Sequence, residues 1–424
     1  MAEAERHLPV RPNLEQLKHQ AKDLLRAIRE GDRDAIAGLQ RNHPERIDPS
    51  EAKLADAQLA LARSYGVASW PRLVTACRMI DAIWRDDAET IREMVLREPR
   101  LVHENARATE KCNWGPPMSY AANLGRDKII EMLRGLGAMD VMRAFDRAVL
   151  QSKIETARRL YEMAGRPPIP QNVLANAAYT LSATGTALLF ELGARVYDEE
   201  GKRLAPVDVV LGTDSRRPAD KHAILEMYAQ NGFRLPDTAT MALHRGRIDL
   251  LEEHLRRDPG MLRRQFRFEE IYPPEMGCHD EILATHGTPL AGATLLHMAV
   301  DYDEMDIARW LLERGMNADE KAAVDAEGFG GHTALFATVV SQPNFWMNHL
   351  GKPKDAPFTR LLLEHGAEPN ARASLRKQLH PGYGEETMHE YRDVTPIGWG
   401  ERFHRKVFVS EAAMEMIRER GGRE

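Results

Sequence analysis

The chain has 424 residues, 43% of them hydrophobic, enough to bury a large core as two or more domains or as one elongated repeat array. Its formal net charge is -6, with 58 Lys and Arg interspersed among 64 Asp and Glu, so no basic face points to nucleic acid. No window reaches the ~18 apolar residues of a membrane span. The Met1 to Arg6 start carries acid where a signal peptide carries base, and Cys77, Cys112 and Cys278 form no C-x-x-C pair. These features lead us to expect a cytoplasmic protein, without disulfides, that neither enters a membrane nor needs a cofactor.

From Arg11 to Ile80 the apolar residues recur at helical spacing. Asn13 is the expected N-cap of a helix carrying Leu14, Leu17, Ala21, Leu24, Leu25 and Ile28, and Gly31 ends it. A second helix follows through Ala35, Ile36 and Leu39, and a third spans Leu54 to Tyr65. Ser69 caps a fourth, with Pro71 in its first turn and Trp70 assigned to the core. Asp81 to Ala106 reads as a divergent helix pair. A clearer pair runs from Gly115-Pro116-Pro117-Met118-Ser119-Tyr120-Ala121-Ala122 through Ile129-Ile130-Glu131-Met132-Leu133 to Gly137-Ala138. Four weaker pairs follow: Ala144 to Ala164, Asn172 to Ala194, Pro206 to Phe233 and Thr238 to Leu262. Each shows i, i+3, i+4 apolar spacing, with Gly or Pro near its ends.

The strongest pattern lies further on. Thr294-Leu295-Leu296-His297-Met298-Ala299 leads to Trp310-Leu311-Leu312-Glu313-Arg314-Gly315, and Thr333-Ala334-Leu335-Phe336-Ala337 leads to Leu361-Leu362-Leu363-Glu364-His365-Gly366-Ala367. In these stretches the chain resembles the ankyrin-repeat family, whose unit is a T-P-L-H-x-A helix followed by a helix ending in L-L-x-x-G-A. Asp56 to Leu73 likewise resembles a helical segment that precedes ankyrin arrays in many bacterial proteins. The resemblance implies an all-α fold: an ankyrin-like helical-repeat solenoid with an N-terminal helical cap at 1–80, divergent repeats at 81–265 and, at 266–424, C-terminal repeats carrying long inserted loops. It assigns His297 a turn-bonding role, and Tyr120 stands where that histidine would be in its own repeat.

The insertions are what such packing leaves unexplained, because a repeat needs only enough chain to turn around. They occupy 267–288, 328–354 and 375–404. The first holds Cys278, His279, Asp280, Glu281 and His286; the second, Gly328-Phe329-Gly330-Gly331-His332 and Trp346; the third, Arg376, Tyr383, Glu386, His389, Glu390 and Asp393. Adjacent Cys278 and His279 lack the spacing of a zinc site, so no metal is expected. A thiol nucleophile at Cys278 would need a base that sequence cannot place.

Two readings remain open. In the first, the chain is a scaffold gripping a protein partner through its concave face and finger loops, with Phe329, Trp346, Tyr383, Trp399 and Arg376 as contact residues. In the second, the insertions roof a pocket for a small-molecule ligand, or for acid/base hydrolysis of a sugar-like substrate by Asp280, His286, His332 and Glu390.

Overall fold

A computed structural model describes residues 8–109, 114–213, 215–278, 288–340, 354–378 and 387–424. The chain forms two compact units, Met1–Ile169 and Pro170–Glu424. Both are built mainly of short helices.

The first unit opens with helices Leu14–Arg29, Arg33–Asn42 and Leu54–Ser64. Asn13 caps the first by accepting the Gln16 amide at 3.0 Å. These helices close on two small apolar clusters, one of Leu8, Leu17, Ala62, Val67, Leu73 and Cys77, the other of Ile28, Leu39, Ala52 and Ala60. Trp70 packs against the first cluster, and burial lifts the Cys77 thiol to about 11, which leaves it an inert packing residue. Helix pairs follow at Trp70–Trp84 with Ala88–Arg97, Pro117–Leu124 with Asp127–Gly135, and Val141–Leu150 with Ile154–Met163.

The second unit continues the scheme with pairs that begin at Leu174, Val207, Ala239, Leu295, Ala334 and Pro396. One turn design joins the two helices of most pairs. The residues Asp86, Gly125, Ser152, Leu181, Gly246 and Asp303 all have positive φ, and each following amide donates back to an alanine carbonyl: Ala82, Ala121, Ala148, Ala177, Ala242 and Ala299. This six-to-one closure satisfies carbonyls that a helix end would otherwise leave bare. Alanine at the accepting position keeps the turn narrow enough for the second helix to fold back. The outer helices end the same way, now with glycine: Ala138 donates to Leu133, Ala194 to Leu189, Met316 to Leu311 and Ala367 to Leu362.

Histidines tie neighbouring turns of the second unit together. His297 Nδ1 lies 2.8 Å from Thr294 Oγ1, and its Nε2 lies 2.9 Å from the His332 carbonyl. The His332 ring in turn reaches the Pro289 carbonyl through Nε2 at 3.0 Å. Both rings are buried, and burial pushes His297 down to about 4 and His332 to about 3. Each is therefore neutral and donates from Nε2 to a backbone carbonyl. Tyr120, in the histidine's place within its own repeat, instead donates its hydroxyl to the Val10 carbonyl of the amino-terminal segment.

The inserted stretches are more ordered than expected. Part of the first forms the short helix Phe268–Ile271 and buries Ile271, Tyr272 and Met276. The third, expected as a loop, contains an antiparallel strand pair, β1 (Ala373–Lys377) and β2 (His389–Val394). The reason is local. Ala373, Leu375 and Lys377 alternate inward, and Tyr391 and Val394 meet them from β2, so one face can be buried only as strands.

A histidine held neutral in the native state takes up a proton when the chain unfolds below its ordinary value of 6.5. Stability from His297 and His332 is therefore full above that pH and falls as pH drops toward 4, by on the order of 2 kcal/mol per ring at pH 5. Urea unfolding between pH 7 and 5 should show this slope. The slope should flatten when both residues are replaced by Gln; an equal slope in that variant would remove the two rings as its cause.

Candidate functional site

The finger that precedes Thr333 is built from its own backbone. Asp325 Oδ1 accepts the amides of Glu327 and Phe329, each at 2.9 Å, and so folds the 325–329 turn onto itself. Gly330, at φ +119, donates its amide to the Ser374 carbonyl at 2.7 Å and joins the finger to β1. A Cβ at Gly330 would fall 1.9 Å from the Ala323 carbonyl oxygen, so only glycine fits this crossing.

Charge then locks the tip. The Arg376 fork on β1 reaches Asp325 Oδ2 at 2.7 Å and Glu327 Oε2 at 2.6 Å. Its guanidinium carbon lies 5.0 Å from the Phe329 ring centre, and that of Arg392 on β2 lies 4.2 Å from it. Arg392 also pairs with Glu390 at 3.2 Å, and Arg372 with Asp393 at 2.7 Å. The exposed residues of the finger are Val324, at 62%, and those from Asp325 to Gly328.

The expected site residues divide into three groups. Asp280, His286, Trp346 and Tyr383 lie outside the described residues. Arg376, Phe329 and Glu390 come together at the finger and strand pair, but Phe329 is buried beneath the two arginines and Glu390 sits in an exposed ion pair. His332 and Trp399 do not join them at the surface. His332 is spent on the Pro289 carbonyl, and Trp399 is fully buried against Tyr391 and Phe403. A completely buried indole cannot be a contact residue for a partner; Trp399 serves the core, which corrects the expectation drawn from its place beside an insertion. Cys278 is half-buried, and burial lifts its thiol to about 12, opposite to what a nucleophile needs.

A second cluster escaped sequence reasoning. Lys221 Nζ and His222 Nε2 each lie 2.8 Å from the same Glu304 oxygen, and Arg216 pairs with Asp301 at 3.0 Å, all but His222 deeply buried. The Tyr302 hydroxyl donates to the Leu211 carbonyl at 2.9 Å and contacts that of Tyr272, while Lys221 Nζ lies 4.3 Å from the Tyr302 ring centre. Burial pushes Lys221 down and Tyr272 and Tyr302 up. It also pushes Glu304 up, but Lys221 and His222 together outweigh it and hold the carboxyl below its ordinary range.

Apart from Tyr272, these residues come from the pair beginning at Val207 and the pair beginning at Leu295, with the Ala239 pair between them in sequence. Repeat units normally touch only their neighbours. Here the turn glycine of the middle pair opens the way: a Cβ on Gly246 would lie 2.1 Å from the His222 ring. The readable signal was the charged turn Asp301-Tyr302-Asp303-Glu304, where a plain repeat needs only an αL residue.

Comparison with known proteins places one part of the chain. Residues 291–320 match the family model described as Ankyrin repeat. Among solved structures, the human ASB11 ankyrin repeat domain is 16% identical, the match covering 73% of this chain and 99% of that one at a TM-score of 0.26. The ankyrin repeat domain of Bcl-3, described as a unique member of the IkappaB protein family, is 16% identical, covering 65% and 97% at a TM-score of 0.21. No curated protein matches the chain. Among the described residues no group of His, Cys, Asp and Glu is arranged to hold a metal, and no helix is long and apolar enough to cross a membrane.

The buried cluster gives a contrast between variants. Glu304→Gln removes the carboxylate that pairs with Lys221 and should cost about 3–5 kcal/mol in chemical denaturation. The double variant Lys221→Met/Glu304→Leu removes both charges and should recover most of that loss. A double variant as unstable as the single one would mean that packing, not charge, sets the cost.

Proposed function

We propose that this chain, which carries an ankyrin repeat at residues 291–320, is a binding scaffold whose finger at 324–331, braced by β1 and β2, recognises a protein partner. The observation that supports this reading is the preorganised tip. Asp325, Gly330 and Arg376 fix the finger before any partner arrives, so little conformational entropy remains to be lost on binding. Such a tip offers an exposed Val324 on the same finger as Glu327, whose carboxylate pairs with Arg376, so apolar and charged groups are presented together. In this reading Arg376 and Arg392 are both supports for Phe329 and contact residues, while Phe329 stiffens the tip from beneath.

The hydrolase reading draws no support from the residues described. Of its four proposed groups, His332 is a buried neutral ring bonded to backbone, and Glu390 is an exposed carboxylate paired with Arg392. The His332 ring lacks the environment of a group poised to exchange protons with a substrate near neutral pH.

Cross-linking followed by mass spectrometry, with the purified chain as bait in an extract of its own cells, tests the proposal. Cross-links should fall on residues near the finger, and Val324→Asp should weaken capture at least tenfold while leaving the melting temperature unchanged, since the side chain is largely exposed. Capture that tolerates Val324→Asp, or cross-links confined to other surfaces, would overturn it.

A further inference from the structure

Residues 8–12, Leu8-Pro9-Val10-Arg11-Pro12, belong to no helix or strand. Pro9 and Pro12 carry no amide hydrogen and hold φ at about −65°, which keeps the stretch extended. Among the described residues it makes no backbone-to-backbone hydrogen bond. It nevertheless lies across the first helices of two consecutive pairs, Trp70–Trp84 and Pro117–Leu124, which pack against each other.

Three contacts seat it. Leu8 is buried in one cluster with Leu73 and Cys77 of the first of these helices. The Val10 carbonyl accepts the hydroxyl of Tyr120 from the second. Arg11 places its guanidinium carbon 5.3 Å from the Trp84 ring centre and gives Nη2 to Asp81 Oδ1 at 3.2 Å. Asp81 Oδ2 is held separately by Arg85 at 2.9 Å, so the carboxylate keeps its place with or without Arg11.

The pattern is that of a peptide held by a receptor, except that the peptide is the chain's own. An extended segment is recognised through main-chain groups and pockets for particular side chains. Tyr120 supplies the main-chain contact from the position at which His297, in its own repeat, bonds a neighbouring turn. A bond within the array is thus exchanged for one to a passing backbone. Little else retains the segment: the Arg11 and Asp81 side chains are 51% and 45% exposed, so water screens their pair. Stretches with few buried contacts and no backbone ladder open first. We propose that the groove formed by Leu73, Asp81, Trp84 and Tyr120 is a binding site for an extended Leu-Pro-x-Arg-Pro segment of another protein, which takes the place of residues 8–12. The chain's own segment then acts as a tethered competitor. Its tether keeps it at an effective concentration on the order of millimolar, so only a partner that binds more tightly, or is abundant, displaces it. This groove belongs to the first unit and does not depend on the finger of the second.

The test is fluorescence anisotropy of a labelled peptide, Leu-Pro-Val-Arg-Pro-Asn, titrated with the full chain. Arg11→Ala loosens the tethered segment and leaves the groove intact. It should bind the peptide at least about tenfold more tightly than the unmodified chain does, because a larger fraction of the grooves is open. Adding Asp81→Asn to Arg11→Ala should undo most of that gain, and so should alanine in place of the peptide's arginine. Equal affinity for the unmodified and Arg11→Ala chains would overturn the proposal, as would no binding to an Arg11→Ala chain whose circular dichroism is unchanged. An Arg11→Ala chain that fails to fold would overturn it too, since residues 8–12 would then be a fixed part of the core. A dimer of Arg11→Ala in sedimentation that the peptide does not dissociate would assign the groove to a second copy and overturn its assignment to another protein.

Discussion

The constraint on which the two units depend is the turn that reverses the chain between paired helices. A helix of six to ten residues, such as Leu174–Tyr179 or Val141–Leu150, leaves many of its backbone groups without an internal partner. It is also too short to be stable alone. The closure from an αL residue back to an alanine carbonyl settles several of these groups at once and fixes the direction of the second helix. Side chains then pack between helices whose spacing the turns have already set. This explains why a pair with almost no ankyrin motif, such as the one beginning at Leu174, keeps the architecture: αL geometry and the closure onto Ala177 suffice to reverse the chain without the rest of the motif.

Where the motif is complete, it adds a second layer of constraint. His297 links the start of its helix to the next finger through the His332 carbonyl, and His332 extends the link to Pro289. Buried neutral rings suit this task because each offers one donor and one acceptor without the cost of a charge. Glu304, Lys221, Arg216 and Asp301 do use charge, and do so between pairs that are not neighbours in sequence. A region of the second unit is thereby joined more tightly than a one-dimensional stack requires, so those three pairs should lose structure together.

Much of this was legible in the sequence, and the illegible parts share a cause. Helix caps such as Asn13, the role of His297 and the repeat at 291–320 follow from short-range patterns, and each is found as expected. Trp399 was misread because an aromatic residue next to an insertion looks the same in sequence whether it faces solvent or core. β1 and β2 were missed because inward alternation is confined to the five residues of β1, while β2 buries only Tyr391 and Val394, three apart, among charged residues. The Lys221, His222 and Glu304 cluster was invisible because it depends on what another repeat lacks, namely a side chain at Gly246.

The same economy governs how the chain treats its arginines. A guanidinium can lie flat on a ring and still offer its edge, so one side chain can serve packing and charge together. At Phe329 this converts a finger that would otherwise be floppy into a braced one: two guanidinia cover the ring and three carboxylates hold their edges. The stiffness of that surface therefore comes from polar groups at the rim and not from a larger apolar core. The brace is also tied to the helices beneath it, because Tyr391 of β2 packs against Trp399 and Phe403 while the finger meets the repeat through Gly330 to Thr333.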